Sequence, residues 1–322
     1  MDTFFPLLKN VILFVCLALP GYILVKAGSI KQESSGVLSK LLMYVGLPFM
    51  ILSGTLGVNL NADTVKTILI TAVIGIAITL LGVLLTSLIT KKTTPNNQDY
   101  TEKMRGMIIF AEAFSNNGFL GLPIVAAVFG QESLVFTCLV VLNIITNILL
   151  YTIGVYLVSC DKRTIKLNNV LLNPVLIAFI IGILLNLLNV KELLPEVLTY
   201  SDHFKNIVTP ISMTILGMKM GAIKISEIFK SKNTYLTSAV KLILLPTLAT
   251  LIAFGINAIF TIGNDLIIAI FIAFAMPTAG LSSAFADKYD GDTKGAVIYT
   301  LGSTLFSVVT IPLLYMLLCT LL

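Results

Sequence analysis

The chain has 322 residues, 57% of them hydrophobic and only 11% charged, with a mean hydropathy of +0.99. That balance excludes a soluble globular domain and points to a polypeptide whose solvent is lipid. The formal net charge of +5 reflects an asymmetry between loops, described below, and implies no nucleic-acid partner.

Ten apolar stretches follow one another, at about 6–26, 36–58, 66–90, 105–129, 134–158, 171–190, 205–223, 235–260, 265–287 and 294–321. Most reach the roughly 18 residues that span a 30 Å hydrocarbon core. Met1-Asp2-Thr3 lacks the basic start of a cleaved leader, so the first stretch is expected to be a retained span. The longest polar connections, 90–104 and 159–169, leave no room for a soluble domain. The fold class expected is an all-α polytopic membrane protein of ten transmembrane helices.

Numbered in chain order, the odd loops hold 17 of the 21 Lys and Arg, with Lys219 and Lys241 counted at the adjoining helix ends. The exceptions are Lys9, Lys66, Lys191 and Lys205. The positive-inside rule puts the odd loops in the cytoplasm of a plasma membrane, which leaves both termini outside.

The fourth stretch is interrupted at Asn116, Asn117, Gly118 and Pro123, and the ninth at Pro277, Thr278, Gly280, Ser282 and Ser283. Lipid offers no water to satisfy the backbone groups such breaks set free, so they persist only against protein or a wet cavity. Shifting the chain by 160 residues lays the second break over the first without a gap: Phe114 meets Phe274, Asn117 meets Pro277, Asn143 meets Ser303 and Asn147 meets Ser307. Residues 1–160 and 161–322 thus read as two units of five spans. Five is odd, so the repeats enter the membrane from opposite sides, the arrangement in which a central site is built from discontinuous helices.

Polar residues within these spans are the candidates for chemistry. Asn116, Asn117, Gly118 and Pro123 shape a half-helix end able to face an anion, and Pro277, Thr278, Ser282 and Ser283 are its counterpart. Asn143, Asn147, Ser303 and Ser307 approach the same region from the neighbouring spans. Glu112 lies seven residues past Arg105, on the order of 10 Å into its span, where an ionisable group is a candidate proton acceptor or cation ligand. Lys219 is a candidate counter-ion, although it and Lys241 also read as side chains reaching water from helix ends. Four scattered cysteines and the single His203, expected in a loop, offer no metal or redox spacing. No HExxH or G-x-S-x-G pattern is present, so neither a cofactor, a metal nor an enzymatic activity is expected.

The stretches SNNGFLGLP (115–123) and MPTAGLSSAFADKYDGD (276–292), in a ten-span chain, resemble the auxin efflux carrier family. That family includes plant PIN carriers and bacterial permeases for malate or malonate, and the resemblance covers essentially the whole chain. It implies two broken helices crossing near the bilayer centre. It further implies a scaffold of spans 1, 2, 6 and 7, a transport domain of spans 3–5 and 8–10 moving as an elevator, and a homodimer. The long hydrophilic segment that plant members often carry between spans five and six is reduced here to residues 159–169. The expected function is secondary transport of small organic anions, malate- or malonate-like or auxin-like, by alternating access, with proton or sodium coupling left open. The alternatives are a sodium symporter resembling the bile acid carriers and a membrane ligand sensor.

Overall fold

A computed structural model describes residues 4–94, 100–222 and 225–322. The expected character of Met1–Thr3 falls outside them. Among the described residues the secondary structure is helical, and the predicted apolar stretches are largely helix, the fourth and ninth being interrupted. The helices are α1 (Phe4–Lys26), α2 (Gln32–Gly57), α3 (Ala62–Thr93), α4 (Glu102–Ala113), α5 (Asn117–Phe129), α6 (Leu134–Ser159) and α7 (Pro174–Leu187). They continue as α8 (Glu196–Lys205), α9 (Val208–Ala222), α10 (Lys232–Phe260), α11 (Asn264–Ala275), α12 (Ser282–Lys288) and α13 (Thr293–Leu321). Five of them, α2, α3, α6, α10 and α13, are long and apolar enough to cross a bilayer by themselves, and shorter apolar helices accompany them. The protein is a polytopic membrane protein.

Side-chain caps set the helix starts. Asn61 accepts from the Thr64 N–H at 2.8 Å, Asn173 from Val175 at 2.9 Å and Asp292 from Gly295 at 2.9 Å, each satisfying a donor with no partner inside its helix. His203, expected in a loop, lies in α8, an extra helix of mixed polarity whose Tyr200 and Phe204 rings pack on Phe49 of α2.

Four helical turns are widened to π geometry: Leu42–Gly46, Asn117–Gly121, Leu150–Gly154 and Val240–Leu244. Three of them end two residues before a proline: Pro48, Pro123 and Pro246. A proline ring collides with the carbonyl four residues back and supplies no N–H to it, and widening the turn relieves the collision without ending the helix. The sequence therefore dictates where α2, α5 and α10 bulge, and the bulge in α10 contains Lys241.

Two close helix pairs form one side of the molecule. In α1 and α9 the backbones nearly touch: a Cβ added at Gly217 would sit 1.8 Å from the Ala18 carbonyl oxygen. In α2 and α7 a Cβ at Gly182 would sit 1.8 Å from Thr55 Oγ1. Small residues permit this approach, and dispersion across it holds helices together where lipid offers no hydrophobic drive. Gly217→Leu is expected to force α1 from α9 at a cost of about 3 kcal/mol or more, seen as a lower melting temperature in detergent.

On the other side α6 and α11 are buried on nearly every face, as expected for helices that are apolar all round. The odd-numbered loops meet at one end of the bundle, where Lys103 pairs with Asp290 at 2.5 Å. The hydrogen bond from that ammonium holds the Asp290 carboxyl below its usual range. Its small contribution is present at neutral pH and fades as pH falls through the lowered value, since an exposed pair is strongly screened. The even-numbered loops meet at the opposite end, where Lys191 reaches Glu132 at 3.3 Å.

Candidate functional site

The two breaks cross and complete each other. After α4 the chain is extended through Phe114, and after α11 it is extended at Met276. Ser115 and Thr278 pair as an isolated antiparallel bridge. The Asn116 N–H donates to the Pro277 carbonyl at 2.8 Å, and the Ala279 N–H donates to the Phe114 carbonyl at 2.9 Å. Backbone groups that lipid would leave unsatisfied are thus satisfied by the opposite break.

A small cavity of about 40 Å³ opens on one face of this crossing, room for a few water-sized groups. Its polar surface is amide rather than charged: Asn116, Asn143, Asn147 and Asn173, with Ser115 beside them. Asn173 is occupied in capping α7. Asn147 Nδ2 donates to Asn143 Oδ1 at 3.3 Å, which fixes the Asn143 amide so that its Nδ2 has no protein acceptor, although the side chain is 4% exposed. Gly118 and Phe119, at the N-terminal end of α5, line the same wall. Orphan N–H donors and the positive end of the helix dipole lie at that point. The cavity therefore presents donors and positive potential with no formal charge.

A second, smaller cavity of about 20 Å³ lies behind Asn116, Phe119 and Gly280, which belong to the walls of both. It holds the hydroxyls of Ser212, Thr300 and Thr304, together with Lys219. Lys219 Nζ donates to the Gly280 carbonyl at 2.7 Å and to Ser283 Oγ at 3.1 Å.

The remaining predicted site residues lie elsewhere. Asn117 is 1% exposed and borders neither cavity; its Nδ2 approaches Thr146 Oγ1 at 3.5 Å and its Oδ1 has no partner. Pro123 is buried within α5. Pro277, Thr278, Ser282 and Ser303 form a closed network behind the crossing. Thr278 Oγ1 donates to the Ala111 carbonyl at 2.7 Å, the Thr278 N–H donates to Ser303 Oγ at 3.1 Å, and Ser282 and Thr300 share a hydrogen bond at 2.5 Å. Ser307 bonds back to the Thr304 carbonyl. Glu112 is fully buried and faces neither cavity; Thr90 Oγ1 lies 3.4 Å from its Oε2, and its Oε1 has no partner.

Two lysines depart from the helix-end reading. Lys241 is fully buried and donates to Ser115 Oγ at 2.5 Å, so it braces the first break from behind. Lys219 braces the second break. Because α10 begins at Lys232, Lys241 is nine residues in, roughly 14 Å at the helical rise, too deep for its ammonium to reach water. Without these two, fifteen of the seventeen basic residues remain on the odd-loop side. The residues not anticipated were Ser115, Asn173 and Lys241. Asn173 carried a signal, an Asn just before a proline-led helix. Lys241 carried the same depth signal that singled out Glu112.

Comparison with known proteins agrees with this architecture. Residues 213–322 match the Sodium Bile acid symporter family. An "Uncharacterized transporter" of Methanothermobacter thermautotrophicus is 23% identical over 312 residues, covering 95% of this chain and 96% of its own length. Residues 6–170, just over half of the chain, match the Membrane transport protein family. With its crossed, bridged helix breaks, the protein belongs to that family, the auxin efflux carriers, and is a membrane transporter.

Proposed function

We propose that the protein is a secondary transporter, not an enzyme, that carries a small organic anion across the plasma membrane by alternating access. The observation that carries this reading is the Asn143 amide, buried and without an acceptor, in the wall of an uncharged cavity at the head of α5. Such a wall stabilises a carboxylate by hydrogen bonds and helix-dipole potential. It also leaves no fixed charge to trap the solute, so release stays easy. The small size of the cavity favours a mono- or dicarboxylate such as malate or malonate over a larger aromatic acid.

On this reading the chain crosses ten times, with α4–α5 as the fourth span and α11–α12 as the ninth, and both termini lie outside. Residues 1–160 and 161–322 are the inverted repeats. The close pairs α1–α9 and α2–α7 are exchanged by that symmetry and constitute the scaffold, beside which α3–α6 and α10–α13 move as the transport domain. A homodimer through the scaffold suits such an elevator. Counterflow of labelled carboxylates in proteoliposomes tests the central claim.

Sodium symport is the second reading, favoured by the match of residues 213–322 to the Sodium Bile acid symporter family. Lys241 argues against it. Its ammonium stands among Ser115 and the crossing backbone, where a metal cation bound close by would meet like-charge repulsion. Replacing sodium by choline on both sides is therefore expected to leave the initial rate of exchange unchanged. A several-fold loss would favour the sodium reading instead.

A further inference from the structure

Behind the crossing, away from both cavities, α10 carries a polar stripe. Thr234, Thr237, Ser238 and Lys241 recur at the spacing that places them on one helix face. All four are buried, at 0, 1, 4 and 0% exposure. The stripe faces inward: a Cβ on Gly302 of α13 would meet Thr234 Cγ2 at 2.3 Å, and the first half of α10 also packs on α4.

The hydroxyls of this stripe behave unlike most others among the described residues. On α3, Thr71 and Thr79 donate back to the carbonyls of Thr67 and Gly75 at 2.6 and 2.7 Å, the usual resort of a hydroxyl in an apolar helix. Thr234 Oγ1, Thr237 Oγ1 and Ser238 Oγ have no protein partner, and neither does Glu112 Oε1. Three orphaned hydroxyls in one buried strip, with a fourth orphaned atom on the packed α4, would be costly if dry, and water is the ordinary way of satisfying such groups. At its outer end the stripe begins beside Asn233, which lines a groove of about 470 Å³ together with Glu227, Lys230, Asp292 and Tyr299. At its inner end Lys241 holds Ser115.

We propose that this stripe is a hydrated proton-access path from the odd-loop groove to Glu112 and Lys241, separate from the solute cavity. A proton from bulk water passes along the hydroxyl file to the Glu112 carboxylate, makes the neutral acid, and returns the same way. The charged and titratable groups facing the path are Glu112 on α4, Lys241 on α10, Tyr299 and Asp292 at the start of α13, and Tyr100, whose hydroxyl donates to Asn233 Oδ1 at 3.1 Å. Arg105 lies two turns before Glu112 on the same helix. The argument depends on the transporter reading only for the use made of the proton, and the path itself is tested without any solute.

The test places single cysteines at 234, 237 and 238 in a chain whose four native cysteines are replaced by Ser or Ala. Silver ion, which fits a single file of water, is applied to one side of oriented vesicles, and surviving thiols are counted by maleimide after unfolding. Each position is a near-isosteric change and decides independently. Blocking at least about tenfold faster than at Val240→Cys, from the side carrying Asp292 and Lys294, is the expected result. Rates no faster than at Val240, or entry only from the opposite side, would overturn the path. Proton binding is read separately in pH-difference infrared spectra of the protein with native cysteines. A carboxylic-acid C=O band that disappears in Glu112→Gln is expected, and identical spectra for the two proteins would remove Glu112 as the acceptor.

Discussion

Lys241→Met is expected to lower stability by about 3 kcal/mol, the scale measured when one member of a buried charged group is removed. The methionine fills similar volume, so little of the loss would come from a void. What disappears is the donor to Ser115 Oγ and the buried cationic neighbour of Glu112. In a low-dielectric interior that neighbour acts over more than contact distance, and the two side chains form no direct ion pair. Adding Glu112→Gln removes the carboxylate left behind, so the double variant is expected to recover a large part of the loss. Thermal unfolding in detergent of wild type, both single variants and the double variant closes the cycle. Strictly additive losses would show that Lys241 merely packs and that Glu112 is independent of it.

Asn143→Ala carries the second large effect, on solute binding rather than folding. A hydrogen bond to a charged group contributes about 1.5–3 kcal/mol, so apparent affinity for a carboxylate is expected to fall by roughly 10- to 150-fold. Folding should lose little beyond the long 3.3 Å bond from Asn147 to the Asn143 Oδ1, because the Asn143 Nδ2 has no protein partner to lose. Saturation curves with melting temperatures measured in parallel separate the two effects. Asn117→Ala provides the contrast: Asn117 borders neither cavity, so its removal should affect packing around Thr146 more than affinity. Equal affinity losses in both variants would show that the cavity seen here is not where the solute sits.

The breaks were legible in the sequence because they rest on residues with fixed backbone consequences. Pro123 and Pro277 cannot continue a hydrogen-bonded ladder, and Asn116, Gly118 and Gly280 tolerate the geometry that results. The helix extents were legible to within a few residues for a similarly direct reason, since lipid demands long apolar runs. Which face each polar side chain takes was not legible. An unwound segment has no period, so nothing in the order Asn116-Asn117 says which side chain lines the cavity; the structure turns Asn116 toward it and Asn117 away. Thr278 lies in the break itself and Ser282 and Ser303 on the helices beside it, and the structure joins them through Thr300, to each other and to Ala111, rather than to open space. Lys241 was obscured by a three-residue error in the start of α10, enough to make a deeply buried ammonium read as one near water.

The paired breaks carry the transporter reading, and the amide wall of the cavity carries its solute class. Counterflow in proteoliposomes tests both together most directly: wild-type protein is loaded with an unlabelled carboxylate and labelled carboxylates from one to two carboxyl groups are supplied outside. Transient uphill accumulation of at least one of them, abolished or strongly right-shifted by Asn143→Ala, is the expected result. Folded wild-type protein that exchanges none of these acids would contradict the organic-anion reading.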